Sequence, residues 1–382
     1  MSEKTPTQIA TRQIDYRQSA QFVPILEHLG CSLLVSTYAA GKVISVGVAE
    51  GNLQLGFTNF QQAMGIAAPP MTDAGVIATE RSTDRVAVGS TNAIWFLRDG
   101  GSLANQVDPA GTVDRVYLTR ESFMTGNIAI HEMAWGNNGE LWIVNTLFSC
   151  LATLHPEYNF VPRWQPTFVS ELAPEDRCHL NGMALRDGTP AFVTALGTTD
   201  DEQGLRPNKS SGGVLIEVPD GKVVATGLCM PHSPRCRHGK LFVLDSGRGR
   251  LLTVDPKRGE KTEIVSYPGY GRGLAFAGQF AFIGMSKARE TSVFGGIPIC
   301  EDRAAMRCGI VVVDLTIGRS VAFLEFESGV EELFDVQIIP RSRRTLLHGP
   351  FPREDQHAPV WVVPPAERVS QLIQGSDCGQ DA

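Results

Sequence analysis

The chain has 382 residues, 42% of them hydrophobic and 20% charged, with a formal net charge of -7. That composition describes a globular protein with a large core, and the acidic balance excludes a surface built to grip nucleic-acid phosphates. No apolar run approaches the ~20 residues needed to span a bilayer, and the eight cysteines contain no Cys-x-x-Cys pair, which removes support for zinc ribbons and dithiol redox motifs.

The N-terminus, "MSEKTPTQIATRQIDYRQ", is polar and lacks the apolar stretch of an export signal. With cysteines scattered at 31, 150, 178, 229, 236, 300, 308 and 378, this predicts a cytoplasmic protein with reduced thiols. Residues 1–19 and 366–382 are expected to be flexible, flanking a single domain over 20–365. Helical periodicity is confined to "SAQFVPILEHLG" (19–30) and "AERVSQLI" (366–373). Between them lie short runs rich in Val, Ile, Phe and Trp, bounded by turn residues, which is strand chemistry.

Taken in order, those runs repeat. "GCSLLVS" ends at Ser36, "DRVAVGS" at Ser90, "GELWIVN" at Asn145, "GTPAFVT" at Thr194, "GKLFVLD" at Asp245, "GQFAFIG" at Gly284 and "SRRTLLH" at His348. Each is followed by a further strand, from "GKVISVG" after the first to "APVWVVPP" after the last. Six are preceded by another segment: "MGIAA" (64–68), "HEMAW" (131–135), "NGMAL" (181–185), "HSPRC" (232–236), "RGLAF" (272–276) and "FDVQI" (334–338). A three- or four-stranded antiparallel unit every ~40–50 residues marks an all-β propeller. Seven such second strands argue for seven blades. The alternative is six blades with a decorated closure, because the first unit lacks a clear inner strand and "FVPILEHLG" reads as a short N-terminal helix.

In a propeller the inner strands line a central channel, and their first residues gather at one rim. This places His131, Glu132, Asn181, His232, Arg272 and Asp335 around one axis. The second strands run back, so Asn145, Asp245 and His348 are expected near the same rim. Glycines 65, 182 and 273 suit a crowded axis where a side chain would clash. Imidazoles and a guanidinium in such a funnel suit proton transfer and anion binding, so His131, His232 and Arg272 are the candidate catalytic residues. Glu132, Asn181, Asp245 and Asp335 are the candidate ligands of a divalent cation. Each residue also has a plainer reading as a hydrogen-bonding strut between blades.

The segments "STYAAGK" (36–42), "MGIA", "TGNIAIHEMAW" (125–135), "LWIVNT" (141–146), "HLNGMAL" (179–185), "MPHSPR" (230–235) and "FDVQ" (334–337) resemble, in order and spacing, a bacterial family of conserved hypothetical propeller proteins of unassigned activity. A more distant resemblance is to gluconolactonase and strictosidine-synthase-like propellers, which implies a cation at the channel rim. "LNGMA" with Asn181 and "LDSGRG" with Asp245 match two elements of that site. The lactonase-type glutamate near the N-terminus has no counterpart here.

Two functions follow. One is an enzyme acting on a small polar or anionic substrate, or a peptide or sugar end, by metal-assisted hydrolysis or isomerisation. The other is a non-catalytic binding or scaffold protein that engages a protein partner. Neither involves nucleic acid or a membrane.

Overall fold

The computed structural model describes residues 13–69, 85–106, 111–202, 204, 208–287, 296–358, 360–366, 368 and 369. Its repeating unit follows from the local pattern. In blade III the inner strand Ile130–Trp135 pairs antiparallel with Leu141–Asn145, which pairs with Cys150–His155 and then Tyr158–Trp164. Blade IV is Leu180–Arg186, Thr189–Ala195, Gly213–Glu217 and Val223–Leu228; blade V is Pro231–Arg237, Lys240–Asp245, Arg250–Val254 and Lys261–Ser266. Blade VI is Tyr270–Ala277, Phe280–Ser286, Cys308–Asp314 and Arg319–Phe326. Blade II holds Ile66–Ala67, Arg85–Gly89, Ala93–Asp99 and Arg115–Met124.

Blade I joins the two ends of the chain. Its inner strand, Asp335–Pro340, comes from the C-terminal part and pairs with Cys31–Thr37, with Ser36 opposite Asp335; Lys42–Ala49 and Asn52–Asn59 complete it. The missing inner strand of the first repeat is therefore supplied some 300 residues later, and the described sheets number six. The expectation of seven blades is corrected. Its seventh second strand, Thr345–His348, lies parallel to residues 115–118 on the outer edge of blade II. The edge of Asp335–Pro340 is already occupied by Cys31–Thr37, so the chain beyond it pairs with an edge still open. "APVWVVPP" forms no strand among its described residues. Tyr16–Gln18, expected within a loose N-terminal segment, adds a fifth strand to blade VI, with Tyr16 opposite Phe326.

Each blade buries both faces, which explains runs that are apolar without alternation. In Cys31–Thr37, Leu33 and Val35 enter the core shared with blade VI, whereas Leu34 enters the core shared with blade II. Comparable clusters fill the other four junctions. A fully buried Leu, Ile or Phe side chain at such a junction contributes about 1.5–3 kcal/mol. The helix Phe22–Leu29 presses Phe22 and Leu26 into the junction of blades VI and I, and stops at Gly30 in the left-handed conformation. No helix among the described residues is long and apolar enough to cross a membrane.

Candidate functional site

The six inner strands align from their first channel residue, and each position forms a ring. We call the face where these strands begin upper and the face where they end lower. The first ring is Met64, His131, Asn181, His232, Arg272 and Phe334. The second alternates strictly: Gly65, Glu132, Gly182, Ser233, Gly273, Asp335. The fourth is Ala67, Ala134, Ala184, Arg235, Ala275, Gln337.

The second ring sews the blades together. Glu132 Oε2 accepts from Met183 N of the next blade at 2.8 Å, Ser233 Oγ from Gly273 N at 3.0 Å, and Asp335 Oδ2 from Ile66 N at 2.9 Å. The intervening glycines let the other three junctions close without a side chain. A Cβ on Gly65 would lie 2.9 Å from Glu132 Cα, and one on Gly182 2.5 Å from Pro234 Cδ. The crowded-axis reading of these glycines matches that geometry.

Arg235 crosses the channel beneath this ring. It forms an ion pair with Glu132 of blade III and donates to Leu274 O of blade VI at 2.9 Å and to Met183 O of blade IV at 3.3 Å. Burial pushes the Glu132 carboxyl up to about 7, with Arg235 opposing that shift and Asp335 adding to it. Burial likewise raises the Asp335 carboxyl, although Arg235 and the Ile66 N–H oppose it. The axis therefore holds Glu132 in an ion pair with Arg235, and Asp335 near enough to feel the same charge.

The upper ring is built differently. His131 Nδ1 lies 3.0 Å from Ala129 O and 2.8 Å from Thr146 Oγ1, whose hydrogen is committed to Leu180 O. Nδ1 must then be the donor, which leaves Nε2 as a lone pair in the neutral ring. His232 repeats the device: Nδ1 donates to Met230 O at 2.9 Å and stands 3.2 Å from Ser246 Oγ. Ala129 and Met230, each two residues before its histidine, have left-handed φ angles of 52° and 48°, which turn their carbonyls onto the rings. His232 Nε2 is buried with no hydrogen-bond partner among the described residues. Burial, then Arg272, then His131 hold His232 well below the usual histidine range. His131 is lowered by burial, by His179 and by Arg272. Both rings are neutral near pH 7.

Arg272 is clamped over Phe334 at 4.8 Å and Tyr270 at 5.3 Å, and donates to Glu332 at 2.9 Å. Its Nε is a second buried atom with no hydrogen-bond partner among the described residues. His179, held by Asp176 at 2.8 Å, places its ring 4.8 Å from that of His131. Cys178 beside it points instead into the core between blades III and IV.

His131, His232 and Arg272 thus share the upper rim, whereas the four residues expected to hold a cation do not form a ligand set. The Glu132 and Asp335 oxygens are engaged as described. Asn181 bridges Thr194 Oγ1 at 2.7 Å and Pro231 O at 2.9 Å. Asp245 accepts from Cys229 N at 2.6 Å and Arg248 at 3.1 Å, anchoring the turn that follows its strand. Among the described residues no group of three His, Cys, Asp or Glu side chains is placed to hold a metal ion. His348 is corrected from rim to outer edge by its pairing on blade II. Asn145 accepts from Phe148 N at 3.1 Å and caps a turn. Arg235, His179, Glu332 and Tyr270 were not among the sequence candidates. Only Arg235 had a signal: it stands where four of the six repeats carry alanine.

No curated protein matches this chain. Among solved structures, a chain of a nidogen/laminin complex aligns at 11% identity and a TM-score of 0.48, covering 81% of this chain and 99% of that one. The PQQ-bound aldose sugar dehydrogenase of Streptomyces coelicolor aligns at 15% identity and 0.43, covering 78% and 91%. Virginiamycin B lyase of Staphylococcus aureus aligns at 10% and 0.38, covering 76% and 74%. At these values the likenesses carry no argument about chemistry. The family described as a domain of unknown function (DUF4915) matches residues 20–347, and the chain belongs to it.

Proposed function

We propose that the upper rim of the channel is a catalytic pocket for a small polar substrate bearing an anionic group. His131 and His232 act there as neutral bases at Nε2, and Arg272 holds the anion. The observation that carries this reading is the His232 Nε2 lone pair, buried without a hydrogen-bond partner among the described residues beside an Arg272 Nε in the same condition. A buried polar atom without a partner costs roughly 1–3 kcal/mol unless something fills its hydrogen bond. An acceptor and a cationic donor on one rim suit a molecule that offers a transferable proton and a negative charge. Arg272 disfavours the imidazolium, so a proton taken by His232 is readily passed on. The reactions that fit are isomerisation by proton abstraction and hydrolysis through an activated water. No step is assigned to a metal.

The test is incubation in D2O with a panel of small 2-oxo acids and lactones, followed by proton NMR. Deuterium incorporation or ring opening is expected, reduced at least ~100-fold in His232→Asn. Failure of the wild-type protein to act on any member overturns the proposal in favour of binding alone. That second reading has one observation of its own: Trp361 and Val363 stand 82% and 77% exposed beyond the last strand, an apolar segment open to a protein partner.

A further inference from the structure

Three imidazoles stand at the upper rim, and one is held differently from the other two. His131 and His232 each give Nδ1 to a backbone carbonyl and are neutral near pH 7. Each can accept a proton at Nε2, and neither brings one to give there. His179 instead gives Nδ1 to the Asp176 carboxylate at 2.8 Å, and its ring meets that of His131 edge to face at 4.8 Å. The other carboxylate oxygen, Asp176 Oδ1, is buried with no hydrogen-bond partner among the described residues. The turn that presents this pair is unusual and firmly held. Asp176 and His179 have left-handed φ angles of 50° and 49°, which side chains other than glycine rarely adopt and which persist where the surroundings impose them. Here Arg177 is anchored by Ser170, Glu175 and Asp200, and Asp176 N donates to Leu147 O at 2.8 Å. The His179 side chain is 21% exposed, so it meets an entering molecule on the open side of the rim.

We propose that His179, oriented by Asp176, is the proton donor of this rim, acting on the carbonyl oxygen of a small 2-oxo acid while His131 takes a proton from the adjacent carbon. The inference rests on the reading of the rim as a proton-transfer pocket and adds a group which that reading lacks. Removing a proton from carbon beside a carbonyl drives charge onto the oxygen, where a positioned donor lowers the barrier. The step balances. The C–H electron pair becomes the C=C bond, and the carbonyl π pair takes the Nε2 proton of the His179 imidazolium. The products are an enol, an imidazolium at His131 and a neutral His179. Asp176 keeps the proton on Nδ1 throughout and gives the imidazolium its counter-charge, which the neutral carbonyls behind His131 and His232 do not supply. Arg272 meets the carboxylate of the acid. Reversal of the step after His131 has exchanged its proton with solvent returns the 2-oxo acid labelled at carbon.

The test is exchange at C3 of 2-oxobutyrate in D2O, followed by proton NMR with the full chain. His179→Gly suits the left-handed backbone and leaves a space the size of the lost ring. It is expected to lower exchange at least ~100-fold. Added imidazole should restore much of that loss, beyond its effect on the wild-type protein, which a merely structural histidine would not allow. Asp176→Asn should lower exchange about tenfold or more while the thermal midpoint stays near that of the wild type. Should His179→Gly fail to fold, His179→Asn, which also tolerates a positive φ, is expected to show the same loss. Exchange unchanged in the His179 variants, or lost in His179→Gly without rescue by imidazole, would overturn the donor and leave the rim reading standing. A wild-type protein that acts on lactones but not on 2-oxobutyrate would do the same. Inertness toward the whole panel would overturn both.

Discussion

Glu132 and His232 are both buried polar residues at the head of an inner strand, and they are resolved in opposite ways. Glu132 is answered on both oxygens, by the next blade's backbone and by Arg235. His232 has one nitrogen tied to a carbonyl and the other with no hydrogen-bond partner among the described residues. The same contrast separates whole rings. The second ring spends its side chains on neighbouring blades, whereas the first leaves an acceptor and a donor for something else. A polar residue on a propeller axis is thus informative only once its partners are counted. Satisfaction marks architecture, and a buried atom left over calls for an explanation.

This contrast can be broken by experiment. The largest effect is expected for Glu132→Ala, which leaves Arg235 without its buried counter-charge and Met183 N without an acceptor. A loss of roughly 3–5 kcal/mol in denaturant unfolding is expected, and a loss below ~1 kcal/mol would dissolve the distinction. Next comes Gly65→Ala. Its new Cβ would press on the Glu132 backbone, which cannot withdraw as a flexible side chain could, so a cost of about 1–3 kcal/mol is expected. His232→Asn is expected to change stability by under ~1 kcal/mol, because blade IV accommodates Asn181 at the equivalent place. A large loss of stability there would return His232 to the struts.

The smallest effect sharpens the comparison through pH. Glu132, raised to about 7 from 4.5, holds its proton more tightly folded than unfolded. Its contribution to stability is therefore whole below about pH 4.5 and lost as pH rises through about 7. His232 runs the other way. Its proton affinity is depressed by folding, so the unfolded chain protonates first as pH falls below 6.5, and stability is lost on the acid side. Denaturation midpoints measured from pH 5 to pH 8 should show Glu132→Gln removing part of the alkaline loss and His232→Asn part of the acid loss. Identical pH profiles for both variants and the wild type would contradict the burial of these groups.

Much of the architecture was legible because its signals are local. Turn residues bounding short Val, Ile and Phe runs defined the strands, and the repeat of Met64–Gly65, His131–Glu132 and Asn181–Gly182 placed equivalent residues on one axis. The glycines of the second ring could be read as points of close approach for the same reason: lacking a side chain has one meaning at a crowded axis. The strict alternation of glycine with Glu132, Ser233 and Asp335 was also visible in the letters.

Tertiary structure alone decided the rest. Blade number depends on which edges remain open when the ring closes, and nothing near Thr345–His348 announces that Cys31–Thr37 already occupies the inner strand beside it. The role of Glu132 was equally hidden. Its two answering groups, Met183 N and the Arg235 guanidinium, lie 51 and 103 residues away and meet it only across the axis. Periodicity tells a chain which face of each strand to bury, because that is set by the pleat within a few residues. Which polar atom meets which is set by the closure of the whole ring.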